Sequence, residues 1–123
     1  MTPPDRITDA QIEPQPDGTV LFQGTPYTGE VVELDPEGAV VGLITFRDGR
    51  EHGPWREWYP DGRPRVEGRV EEGVGAVGAW RTWYPDGRLA QERVFSASGD
   101  ELSFRRWGPD GALAEERDYT APP

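Results

Sequence analysis

WREWYPDGR at residues 55–63 and WRTWYPDGR at residues 80–88 agree at eight of nine positions, and FRRWGPDGA at 104–112 is a weaker copy. The tripeptide at their centre, Pro-Asp-Gly, also occurs at 16–18, and Pro36-Glu37-Gly38 fills the gap between. Successive prolines stand 20, 24, 25 and 24 residues apart, which is the mark of a repeat array. In x-Pro-Asp-Gly-x, Pro presets φ for the first corner of a type I turn and Asp suits the second. Gly then takes the left-handed conformation that closes a three-residue hairpin with a bulge. Runs rich in Val, Trp, Tyr and Phe on both sides read as strands.

A second turn signal separates the units: Arg47-Asp48-Gly49, Glu71-Glu72-Gly73 and Ser98-Gly99. Each unit is therefore one β-hairpin and a connection. Ala112–Tyr119 is the best helical candidate, but it occupies a strand slot of the repeat. A single hairpin is marginal in water, so the units must stack. The expected fold is all-β: repetitive antiparallel hairpins in one elongated, right-twisted, open-ended sheet of nine or ten strands, from Val20 to Tyr119. Residues 17–119 form the repeat domain, with hairpin turns near 36–38, 60–62, 85–87 and 109–111. Residues 1–16, whose apolar anchors are Ile7 and Ile12, cap the first hairpin or are loose. Residues 120–123 read as a frayed tail.

Gly (16) and Pro (13) make up about 24 % of the 123 residues, roughly double average usage. Only 34 % of residues are hydrophobic and the net charge is −10, values near the border of disorder. The five Trp argue against disorder, and the periodic turns give the Gly and Pro a structural reason. No apolar run is long enough to span a membrane, and the polar N-terminus is not a secretory signal, so a cytoplasmic protein is expected. Lys, Asn and Cys are absent, and every basic side chain apart from His52 is Arg. Residues 1–53 hold ten acids against three Arg, while 54–123 hold thirteen against ten. Such a surface repels nucleic acid and anionic lipid and favours a basic protein partner.

Strand alternation divides the aromatic residues between two faces. Trp58, Trp83 and Trp107 are expected to form a buried seam, with Arg56, Arg81 and Arg105 stacked over it. The opposite face is expected to carry Trp55, Glu57, Tyr59, Arg63, Arg65, Glu67, Trp80, Tyr84 and Arg88. This mixture of aromatic residues and Arg suits a protein interface, or else a second small core over neighbouring glycines. Together with the acidic residues Glu30, Glu33, Asp35 and Glu37, this face is the candidate partner-binding surface. An exposed edge strand offers a route to homo-oligomers.

The runs GREHGPWREWYPDG (49–62) and GAWRTWYPDG (78–87) resemble the MORN-type repeat in its bacterial variant. Pro26-Tyr27-Thr28-Gly29-Glu30-Val31 resembles the segment that opens the first repeat in the YwqK-like antitoxin family. The resemblance spans about residues 20–119. It implies an antitoxin or immunity protein that neutralises a cognate bacterial toxin by direct binding. A structural or adaptor scaffold is the alternative.

Catalysis is not expected. Cys is absent, Ser occurs only at 96, 98 and 103, and His52 sits beside a turn, where it is expected to pack on Trp55. Adjacent carboxylates such as Glu71/Glu72 and Glu115/Glu116 point apart or into water. No phosphate loop, EF-hand or His-rich spacing is present, so neither cofactor nor metal is expected.

Overall fold

The structure, a computed structural model, describes residues 3–120. The expected fraying of the tail falls, except for Thr120, outside these residues. Twelve strands form two sheets. The large sheet has nine strands: β1 (Arg6–Thr8), β5 (Gly29–Leu34), β6 (Val40–Arg47), β7 (Arg50–Trp58), β8 (Pro64–Glu71), β9 (Gly75–Trp83), β10 (Leu89–Phe95), β11 (Glu101–Trp107) and β12 (Leu113–Asp118), in that spatial order. From β5 onward every neighbour is antiparallel and sequential, as stacked hairpins require. The sheet is open, with β1 and β12 at its edges.

The expectation of a single sheet starting at Val20 is corrected. β2 (Glu13–Pro14), β3 (Val20–Phe22) and β4 (Thr25–Pro26) form a separate three-stranded sheet, and β1 joins the large sheet parallel to β5. The first Pro-Asp-Gly turn therefore belongs to the small sheet. Gly49 joins the two sheets. Its N–H donates to the Tyr27 carbonyl, and its carbonyl accepts from Val20 N–H, both at 2.8 Å. At φ +83°, a Cβ on Gly49 would lie 3.0 Å from the Val20 carbonyl oxygen.

The repeat turns have the geometry their residues demand. The Tyr59 carbonyl accepts from Gly62 N–H and the Arg63 carbonyl from Tyr59 N–H, both at 2.9 Å, while Gly62 sits at φ +92°. Asp61 Oδ1 accepts from Arg63 N–H at 2.9 Å, and Asp86 and Asp110 repeat that bond. Where Glu37 replaces the turn Asp, Asp35 accepts from Glu37 and Ala39 N–H instead.

Successive units are tied through these turns. The Tyr59 hydroxyl donates to the Trp83 carbonyl at 2.7 Å, and the Tyr84 hydroxyl to the Trp107 carbonyl at 2.6 Å. Arg63 Nη1 donates to the Pro85 carbonyl at 3.0 Å, and Arg88 Nη1 to the Pro109 carbonyl at 2.9 Å. Gly108 and Ala112 occupy the Tyr and Arg positions of the third copy, so neither tie recurs there.

Val77, Ala90 and Phe104 are buried along β9, β10 and β11, while the buried cluster sits at the N-terminal end. Ile7, Val20, Tyr27, Val31 and Phe46 form it, with Ile12, Phe22 and Ile44 packed against them. Tyr27, 1 % exposed, is the most buried large side chain, and its hydroxyl donates to the Pro4 carbonyl at 2.8 Å. Burial raises its pKa above 10.0, with Asp5 and Glu30 adding to the shift. The expected Trp58–Trp83–Trp107 seam is corrected. These rings do sit opposite Pro64, Leu89 and Leu113, but all three remain half-buried, because a single sheet layer has nothing to close over them there.

The expected stacking of Arg56, Arg81 and Arg105 on that seam is also corrected. Register sets Arg56, Glu67, Arg81, Glu92, Arg105 and Glu116 opposite one another across β7–β12, in alternating charge. Arg81 pairs with Glu92 at 2.9 Å and Arg105 with Glu116 at 3.0 Å. Opposite charges on adjacent strands stabilise by about 0.2–1 kcal/mol each. The cation–π contacts lie elsewhere: Arg93 over Phe104 at 4.5 Å and Arg65 near Tyr59 at 6.0 Å.

Candidate functional site

On the face of the core, the register builds two parallel side-chain rows. One runs Ile7, Val31, Ile44, Trp55 across β1, β5, β6 and β7. The other runs Glu33, Gly42, Glu57 across β5, β6 and β7. Between them lies a groove of about 300 Å³, closed at one side by Asp9 and Ile12. Asp9 belongs to a short 3-10 turn, Asp9–Gln11, that follows β1. Thr8 and Gln11 hold this turn, with Thr8 N–H donating to Gln11 Oε1 at 2.8 Å.

Gly42 opens the groove. It is buried, and a Cβ there would stand 3.2 Å from Glu33 Oε2 and 3.3 Å from Glu33 Cβ, so the Glu33 side chain lies against it. Glu33 and Glu57 flank it one strand to each side, so their backbones are separated by roughly 10 Å. Asp9, Glu33 and Glu57 make no salt bridge with any described residue, whereas eight other carboxylates do. The site thus combines an apolar bed of Ile12, Val31, Ile44, Phe46 and Trp55 with the carboxylates of Asp9, Glu33 and Glu57, and Arg56 also lines it. That chemistry accepts a cation carried on an apolar stem. No group of three or more His, Asp or Glu placed to hold a metal occurs among the described residues.

The expected binding residues are divided by the structure. Glu33, Trp55 and Glu57 come together at the groove. Trp55 also packs on Trp80, with ring centroids 5.5 Å apart at 44°. Trp80 lies over Gly68, and its Nε1 donates to the Arg69 carbonyl at 3.2 Å. Tyr59, Tyr84, Arg63 and Arg88 are engaged in the ties between units, and Arg65 lies near the Tyr59 ring. Glu30 pairs with Arg6 at 2.8 Å, Asp35 closes its own turn, and Glu37 is exposed on that turn. His52 Nδ1 accepts from Glu72 N–H at 3.1 Å. Asp9, Val31, Ile44 and Phe46 were not singled out from sequence for this site. Strand alternation within GEVVEL and VVGLITF places Val31, Ile44 and Phe46 on one face, but nothing local signals that Asp9 folds back over them.

The fold and the open groove define a class: a repeat-built β-sheet with a surface suited to binding. The MORN repeat variant matches residues 51–71 and 76–97, the two units whose turns are tied through Tyr59 and Tyr84. These segments are similar to that repeat, which supports a repeat-containing binding or scaffold module. Comparison with curated proteins and with solved structures gives no match. No helix among the described residues is long and apolar enough to cross a membrane.

Proposed function

We propose that this protein is an immunity protein of the bacterial toxin–antitoxin kind, which neutralises a cognate toxin by binding a basic surface of it. The carrying observation is the groove whose apolar bed is rimmed by the unpaired carboxylates of Asp9, Glu33 and Glu57. Two further features support the reading. The net charge of −10 is concentrated in the half of the chain that builds the groove. The Asp9–Gln11 turn at the groove is held by the bond from Thr8 N–H to Gln11 Oε1, which reduces the ordering cost of binding. Charge complementarity of this kind raises association rate and specificity.

Co-expression tests this reading. The product of the gene beside this one should be toxic alone, harmless together with this chain, and recovered with it in a pulldown. A neighbour that is not toxic, or a toxic neighbour that this chain neither binds nor rescues, contradicts the proposal. An anionic membrane is disfavoured as a partner by the same charge.

A further inference from the structure

Resting on that reading of the protein as a binder, we infer that the groove between β5, β6, β7 and the Asp9–Gln11 turn is a socket for one arginine side chain of the partner. Its dimensions and chemistry converge on that occupant. A groove of about 300 Å³ is too small for a helix or a strand, but it accommodates a single long side chain. Its bed is apolar, as an aliphatic stem requires, with Ile12 and Ile44 along it and the Trp55 ring at the side. The charged end then meets carboxylates from two different strands, Glu33 of β5 and Glu57 of β7, with Asp9 on the third side.

Arginine is favoured over lysine for two reasons. A guanidinium has five N–H donors in a planar fork, so it can serve carboxylates on opposite sides at once. Its plane also stacks on an indole, and Trp55 presents one at the groove wall. Backbone carbonyls alone would accept from either cation; carboxylates separated by one strand select the fork. Gly42 is the position that makes the socket. It carries no positive φ that would demand glycine, so the backbone there tolerates any residue. What its missing side chain provides is room for the Glu33 side chain, whose Oε2 would lie 3.2 Å from a Cβ there.

The test is an NMR titration of the full chain with acetyl-Gly-Arg-Gly-amide, its citrulline counterpart and its lysine counterpart. Citrulline keeps the shape of arginine and removes the charge. The arginine peptide should shift the Trp55 indole N–H and the Gly42 amide saturably. It should bind about tenfold more tightly than the citrulline peptide, and more tightly than the lysine peptide. Glu33→Gln with Glu57→Gln should remove that preference for charge. Gly42→Val, which keeps all the carboxylates but crowds the Glu33 side chain out of its place, should abolish the shifts while leaving the rest of the amide spectrum in place. The absence of shifts at Trp55 and Gly42, equal binding of the citrulline or lysine peptide, or indifference to both sets of substitutions overturns the inference. If the arginine peptide fails while co-expression still rescues cells, the socket is wrong and the immunity reading stands. If the peptide binds but no toxin is neutralised, the reverse holds.

Discussion

The hydroxyl of Tyr59 donates to the carbonyl oxygen of Trp83 at 2.7 Å, from one repeat turn to the next, and Tyr84 makes the same bond to Trp107. The bond runs in one direction along the array and ends where Gly108 replaces the tyrosine. Each tie is part-buried, so removing the hydroxyl leaves a carbonyl with one partner fewer in a poorly hydrated place. Tyr59→Phe and Tyr84→Phe should each destabilise the fold by about 1 kcal/mol. Because the Tyr59 bond ends on the carbonyl of Trp83, the residue joined to Tyr84, the two ties are coupled and the double variant should depart from the sum. Urea unfolding of the four proteins measures this, and a loss from either variant indistinguishable from zero would contradict the tie.

Trp80 lies over Gly68, and Trp55, which faces Gly68 across β7 and β8, meets its ring at 5.5 Å and 44°. A Cβ at Gly68 would run into the Trp80 ring, and the ring cannot turn away without leaving Trp55 and the Arg69 carbonyl. Gly68→Ala should therefore cost about 1–3 kcal/mol, the range for overpacking a filled site. Backbone conformation is not the cause, since Gly68 has no positive φ. Trp80→Ala made together with Gly68→Ala should relieve the clash. The pair should then be scarcely less stable than Trp80→Ala alone, which thermal unfolding can read.

Tyr27 sets the alkaline limit of the core. Its phenol is buried and its pKa is raised above 10.0, first by burial and then by Asp5 and Glu30. The folded state thus keeps a proton that the unfolded state releases first. Its contribution is fully present below pH 10 and is lost as pH rises through the folded-state value. Tyr27→Phe should be less stable than wild type at neutral pH by about 1 kcal/mol, because the bond to the Pro4 carbonyl is gone. Above pH 10 the gap should narrow, as the wild type alone carries this ionisable group. Denaturation midpoints taken from neutral to strongly alkaline pH check the sign, and a widening gap would contradict it.

The repeat units were legible because turn chemistry is local: Pro60, Asp61 and Gly62 specify their hairpin without reference to anything distant. Register followed, since a three-residue turn with a bulge sets which residues face each other, as Trp83 faces Leu89. Parallel pairing of β1 was not legible, because three residues of Arg-Ile-Thr carry no sign of the strand they will join. The paired roles of Arg81 and Arg105 were missed for a different reason. Alternation gives the face of a side chain, but its partner is decided by the neighbouring strand, and Glu92 and Glu116 lie eleven residues further on. Half of the groove was visible as Glu33, Trp55 and Glu57. The other half depends on a chain reversal at Thr8–Gln11 that brings Asp9 and Ile12 over the large sheet, and only the folded chain shows it.

The central claim is that the groove binds a basic partner directly. The affinity of this chain for the purified product of the neighbouring gene, measured by calorimetry for wild type, Glu33→Gln/Glu57→Gln and Gly42→Val, tests it most directly. The account predicts that both variants fold as the wild type does and bind at least tenfold more weakly, with the loss larger at low salt for the carboxylate pair than for Gly42→Val. Wild-type affinity in both variants would contradict it.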